Sequence, residues 1–183
     1  AGFVDRPEPG RYRQVLADAA RTGTEAEWRE RALAHARTLV QPGAPPGLPV
    51  MSDDRRRPWG DWGHEGASTL IELLLADDDV EGAWAAALAH GCRRTEWLRL
   101  VALRETSDPV GAAAVYRCEI EALIEGKSRG HYAEAAGHVV QVRRLLLAAG
   151  EAQAADAYVA ELRLANKRRP SFLDELNRAL ARR

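Results

Sequence analysis

The sequence predicts an all-α protein made of antiparallel helix pairs, and three observations lead there. Apolar residues recur at three- and four-residue spacing along most of the 183 residues. Short breaks built on Gly, Pro or Asp separate these stretches, which makes consecutive helices antiparallel neighbours. Alanine is abundant, so helices can approach closely while Leu, Trp and Tyr fill the spaces between them. The expected result is a right-handed array or a compact bundle.

Residues 1–10 form a loosely packed lead. Tyr12, Val15, Leu16 and Ala19 then make a first helical stripe that ends near Gly23. Thr24 followed by Glu27 reads as a capping box for a second helix, with Trp28, Ala32, His35 or Ala36, and Leu39 on one side. Between residues 41 and 66 the periodicity disappears into QPGAPPGLPVMSDDRRRPWGDWGHEG, a linker or long loop. Its Trp59 and Trp62 are expected to pack on the protein's own helices, because a wet indole forfeits the gain of burial; the alternatives are a role in holding a partner and exposure in an isolated fragment.

Periodicity resumes with Ser68, Leu70, Ile71, Leu74 and Leu75, and Asp77, Asp78 and Asp79 break that helix while capping the next. A helix over 80–90 carries Trp84, Ala87 and Leu88. After GCRR, one starting near Thr95 carries Trp97, Leu98, Val101 and Ala102. Asp108 can cap a longer helix with Pro109 in its first turn, and Ala112, Tyr116, Ile120 and Leu123 form its stripe, opposite Arg117, Glu121 and Glu125. Gly126 is the expected stop, at a position where a positive φ is cheap for glycine. From about His131 to Ala149, Tyr132, Ala135, Val139, Val142 and Leu146 share a face, and Gly150 closes the helix. Ala155, Tyr158, Val159, Leu162 and Ala165 make the next stripe, with Lys167, Arg168 and Arg169 at its C-terminal end, where positive charge suits the helix dipole. Pro170 ends it. Ser171 is expected to cap a last helix carrying Phe172, Leu173, Leu176 and Leu180, too short to persist without packing. The implied organisation is a helix pair over 1–40, a linker over 41–66 and a helical-repeat domain over 67–183.

Several segments resemble the helical region of bacterial proteins that also carry a SWIM-type zinc module: LLLADDDVEGAWAAALAHGC, WLRLVALRETSDP, VYRCEIEALIEGKSRGHYAEAAGHV and AYVAELRLANKRRPSFLDELNRAL. Together they span roughly residues 67–180, and their helix-pair pattern is also similar to tetratricopeptide repeats. The resemblance implies a helical scaffold that follows a zinc module engaging DNA or protein. A SWIM site needs three cysteines and a histidine in CxC and CxH arrangement, and Cys92 and Cys118 cannot form it. No residue of that module is carried over.

Composition narrows the functional classes. With 26 basic and 27 acidic residues and a formal charge of -1, the chain has no global attraction to nucleic acid or anionic membrane. Two distant cysteines do not make a disulfide scaffold and read as buried thiols of a reducing compartment. No run has the length of a membrane span, and AGFVDRPEPG lacks the basic and apolar regions of a signal peptide, so a cytoplasmic location is expected. A first residue other than methionine suggests a piece of a longer gene product, though processing would leave the same start.

Among polar residues, His131, Glu134 and His138 fall on nearly one side of a helix and could contribute metal ligands. Their spacing is not HExxH, and Glu134 with His138 also makes an ordinary i,i+4 pair, so solvated or interhelix contacts are the expectation. His64 lies in the irregular segment with no second ligand beside it, and His35 and His90 read as packing or cap residues. Three consecutive aspartates do not provide the spaced oxygens of a calcium loop. Ser68 and Ser128 lack a catalytic context, and no glycine loop cradles a phosphate. No catalytic, cofactor or metal residue is therefore assigned.

The leading expectation is a non-enzymatic helical scaffold that binds a protein or docks a neighbouring domain, with Trp59 and Trp62 as contact residues. One alternative is an accessory nucleic-acid-binding domain using Arg55, Arg56 and Arg57 beside Trp59, together with the basic turn at 167–169. Another is an enzyme whose site is assembled from distant residues.

Overall fold

The computed structural model describes residues 8–40, 47–48 and 67–182. Within them the regular structure is entirely helical, as the periodicity predicts: α1 (Pro9–Ala20), α2 (Glu25–Thr38), α3 (Ser68–Ala76), α4 (Val80–His90), α5 (Arg94–Arg104), α6 (Pro109–Glu125), α7 (Arg129–Ala148), α8 (Ala152–Ala165) and α9 (Pro170–Ala181). The helices group into two compact units, and the division falls inside α5, between Leu100 and Val101. Most of the 41–66 linker in the 1–40, 41–66 and 67–183 organisation read from composition lies outside the described residues.

The first unit holds α1 to α4 and the start of α5. Pro9 occupies the first turn of α1, where its missing N–H costs nothing, and Tyr12, Leu16 and Ala19 are buried from the expected stripe. The acidic turn after α3 divides three tasks among its aspartates. Asp77 accepts a 2.5 Å hydrogen bond from the Tyr12 hydroxyl and lies 3.4 Å from Nε of Arg29, tying α1 and α2 to the end of α3. Asp78 takes the left-handed conformation at φ 59°, and Asp79 caps α4 by accepting from the Gly82 N–H at 2.8 Å. The indoles of Trp84 and Trp97 meet edge to face at 5.4 Å, an arrangement that aromatic quadrupoles favour.

Two expectations fail in α2. Thr24 sits at the cap position but makes no side-chain bond to the helix; its hydroxyl pairs with that of Thr22 at 2.9 Å, and Glu27 is drawn to Arg31 at 3.3 Å. The capping box does not form. Trp28 is 43% exposed beneath the Arg31 guanidinium, because the buried line of α2 runs through Ala32 and Ala36 and leaves the indole at its edge. Leu39 is exposed with it, and Ala102, expected on the α5 stripe, faces solvent as well.

The second unit is built on α7, against which α6, α9 and α8 all pack. Its interior takes Val115, Ile120 and Leu123 from α6, Val139, Val142 and Leu146 from α7, Val159 and Leu162 from α8, and Phe172 and Leu176 from α9. Burying each such side chain is worth roughly 1.5–3 kcal/mol, which is what holds the short α9 in helical form. Asp108 caps α6 through the Gly111 N–H at 2.9 Å, and Gly150 closes α7 at φ 81°, both as expected.

The turn between α6 and α7 is made differently. Gly126 has an ordinary right-handed φ of -65°, and the left-handed residue is Lys127 at φ 52°. Glycine at 126 instead makes room for a ring: a Cβ there would lie 2.2 Å from Nδ1 of His131. Ser128 caps α7, its hydroxyl accepting from the His131 N–H at 3.1 Å. At the turn between α8 and α9, Pro170 opens α9 instead of simply ending α8, and Arg169, not Ser171, stands at the cap position. Ala165 is exposed, because α8 turns toward its end and Asn166 takes the buried place.

Candidate functional site

Antiparallel pairing of α6 and α7 about their short turn determines which polar side chains meet. Counting outward from Lys127, Tyr116 lies eleven residues before it and His138 eleven after; Glu119 lies eight before and Glu134 seven after. The rings of Tyr116 and His138 stack accordingly, with centroids 5.2 Å apart and planes 26° from parallel. One turn along, an oxygen of Glu119, an oxygen of Glu134 and a ring nitrogen of His138 lie within 4.8 Å of one another. Glu119 is fully buried, His138 half-buried and Glu134 exposed, so the trio runs from the helix interface to the surface. Among the described residues it is the one grouping of three His, Cys, Asp or Glu side chains close enough to share an ion.

A second polar network adjoins Tyr116. Its hydroxyl donates to Oε1 of Glu105 at 2.9 Å, Gln141 donates to the same oxygen, and Arg144 donates to Oε2 at 2.5 Å. Burial, reinforced by the Glu105 carboxylate, pushes the Tyr116 phenol well above its usual range. The phenol therefore serves as a hydrogen-bond donor that fixes the Tyr116 ring, and with it the ring of His138.

The trio differs in one member from the set legible in the sequence. Glu134 and His138 come together as their i,i+4 spacing requires, but His131 turns back toward Gly126 and takes no part. Glu119, on the preceding helix, replaces it. Sequence reasoning missed Glu119 because a lone acid at a buried stripe position resembles an ordinary salt-bridge residue; counting residues outward from the turn is the signal that would have found it.

Trp59, Trp62, Arg55, Arg56, Arg57 and His64 lie outside the described residues. The basic turn at 167–169 is described, and part of its charge is already committed. Arg169 pairs with Glu125 and donates to Asn166 Oδ1 at 3.2 Å. Next to it an open groove of about 700 Å³ carries Glu121 and Glu125 on one side and Lys167 and Arg168 on the other, over Ile124 and Leu162. Neither cysteine is in a disulfide; Cys92 is buried and Cys118 half-buried. Burial, with Glu121 nearby, raises Cys118 to about 11, which leaves it far from a reactive thiolate at neutral pH.

Fold and site together define an all-helical protein, without a helix among the described residues long and apolar enough to cross a membrane. No family model, no curated protein and no solved structure matches the chain.

Proposed function

We propose that this chain is a non-enzymatic helical interaction module, and that the interaction it makes is homotypic, through the outward face of α7. The observation that carries this reading is the composition of that face. Gly130, Ala133, Gly137, Val140, Arg144 and Leu147 follow one another at spacings of three and four, all are exposed, and Arg144 is the one charge among them. A solvated helix face ordinarily carries many charges, and a seam alternating by three and four residues is the pattern by which two helices pack along their length.

The seam is also complementary to itself. Placed antiparallel to a second copy about a two-fold axis between His138 and Val139, it sets Gly130 opposite Leu147, Ala133 opposite Arg144 and Gly137 opposite Val140. Each large side chain meets a small one, as an isologous interface needs. The two Arg144 residues end about 16 Å apart along the axis, at 1.5 Å per residue, so they do not oppose each other. The resemblance to helical regions of SWIM-associated proteins is compatible with a scaffold role and contributes no ligand residue.

Sedimentation velocity over a wide range of chain concentrations tests the reading. The expected result is a monomer–dimer equilibrium that Val140→Lys or Leu147→Lys shifts to monomer, while Val110→Lys, at an exposed apolar position on α6, leaves it in place. A wild-type chain that stays monomeric up to hundreds of micromolar would overturn it.

A further inference from the structure

The Glu119, Glu134 and His138 grouping has chemistry that a scaffold does not require. We infer that it is a binding site for one divalent transition-metal ion of the zinc type, seated between α6 and α7 and open to solvent on one side. The donor set is one imidazole and two carboxylates. That combination suits Zn²⁺, Mn²⁺ or Fe²⁺, whereas Ca²⁺ takes six or more oxygens and Cu⁺ prefers sulfur. Three protein ligands with a free position is the usual composition of an open zinc site, the remaining place being filled by water.

The distances and the scaffold both bear on this. Ligand atoms around a tetrahedral zinc ion at about 2.0–2.2 Å stand roughly 3.3 Å from one another. The three donor atoms here lie within 4.8 Å, so closure requires a movement of about 1.5 Å or less, which falls mainly to Glu134, the exposed member of the three. Glu119 supplies a fixed anchor, since its position on α6 is fully buried. His138 is oriented by stacking on Tyr116, whose ring is itself held by the bond to Glu105. Glu134 reaches in from the exposed edge one turn before His138. Glu119, Glu134 and His138 also have other protein interactions, so loading the ion exchanges those for metal bonds. An ion held this way would link α6 to α7 and stabilise the folded unit by mass action.

The test uses the full chain, stripped of metal with a chelator, exchanged into chelator-free buffer and titrated with ZnCl₂ by isothermal calorimetry. Co²⁺ absorption serves as a second readout of the coordination sphere. One Zn²⁺ per chain is expected, with a rise in melting temperature on loading. His138→Ala, at a half-buried position, and Glu134→Gln, at an exposed one, are each expected to weaken Zn²⁺ at least tenfold and to change the Co²⁺ spectrum. His131→Ala is expected to leave both readouts unchanged. Glu119→Gln is expected to abolish binding, with circular dichroism reporting whether the fold survives; the His138 and Glu134 variants keep the proposal falsifiable if it does not. Absence of saturable Zn²⁺ binding at millimolar metal, wild-type affinity in His138→Ala, or an equal loss in His131→Ala would each overturn it.

Discussion

Replacing Phe172 with alanine tests the central packing claim for the second unit. Phe172 is fully buried at the start of α9, and its ring lies 5.8 Å from that of Tyr132 on α7. Truncating a buried Phe costs ~3–5 kcal/mol, from the lost transfer energy and the cavity left behind. The unit contains roughly 80 described residues, and at about 0.05–0.15 kcal/mol per residue its whole stability is ~4–12 kcal/mol. One side chain is therefore predicted to carry about a quarter or more of the total. A helix of 12 residues is marginal in isolation, so the loss should appear first as melting of α9. Urea unfolding followed by circular dichroism measures the cost, and hydrogen exchange locates it: amides of α9 should lose protection before those of α6. A cost under ~1 kcal/mol, or α9 amides protected as in wild type, would refute the view that α9 is helical because it is docked.

Two further predictions follow from local geometry. Gly126→Ala should cost less than ~0.5 kcal/mol, since φ there is ordinary and the exposed His131 ring can swing away, whereas Gly150→Ala should cost ~1 kcal/mol because φ is 81°. Chemical denaturation of the two variants checks the contrast, and NMR of the His131 ring should respond to the first alone. Glu72 gives a pH dependence. Burial, together with the nearby Glu96, raises its carboxyl above the ordinary 4.5, against the pull of Arg93 and Arg99. The folded state then holds the proton more tightly than the unfolded one, so the charged form weakens the fold. That cost is absent below about pH 4.5 and develops as pH rises through the folded value. Glu72→Gln should accordingly raise the melting temperature at pH 7, with the gain disappearing as the pH is lowered toward 4.

Helix identity was largely legible in the sequence because periodicity is a one-dimensional property. The stripe of α6, from Ala112 to Leu123, is buried as spaced, and Asp79 and Asp108 cap the helices that follow them. Competition between nearby partners was not legible. Thr24 had the right neighbours for a capping box and lost its hydroxyl to Thr22; Trp28 had the right spacing for burial and lay at the edge of a face made of alanines. The candidate site was half readable for the same reason. Glu134 and His138 share a helix, so their spacing reveals them, while Glu119 becomes their neighbour only once two helices have been laid side by side.

The link between α6 and α7 works as a ruler. Lys127, in its left-handed conformation, divides the hairpin into two arms of matching count, and that count decides every meeting between them. Adding one residue within the first turn of α7 would displace the residues after it by about 1.5 Å along the helix and turn them by about 100° relative to those before it. His138 would slide off Tyr116, Glu134 would swing away from Glu119, and the outward seam would rotate toward the interior. Change of composition in this link is cheap by comparison, whereas change of length rewrites both the inner and the outer surface of α7 at once.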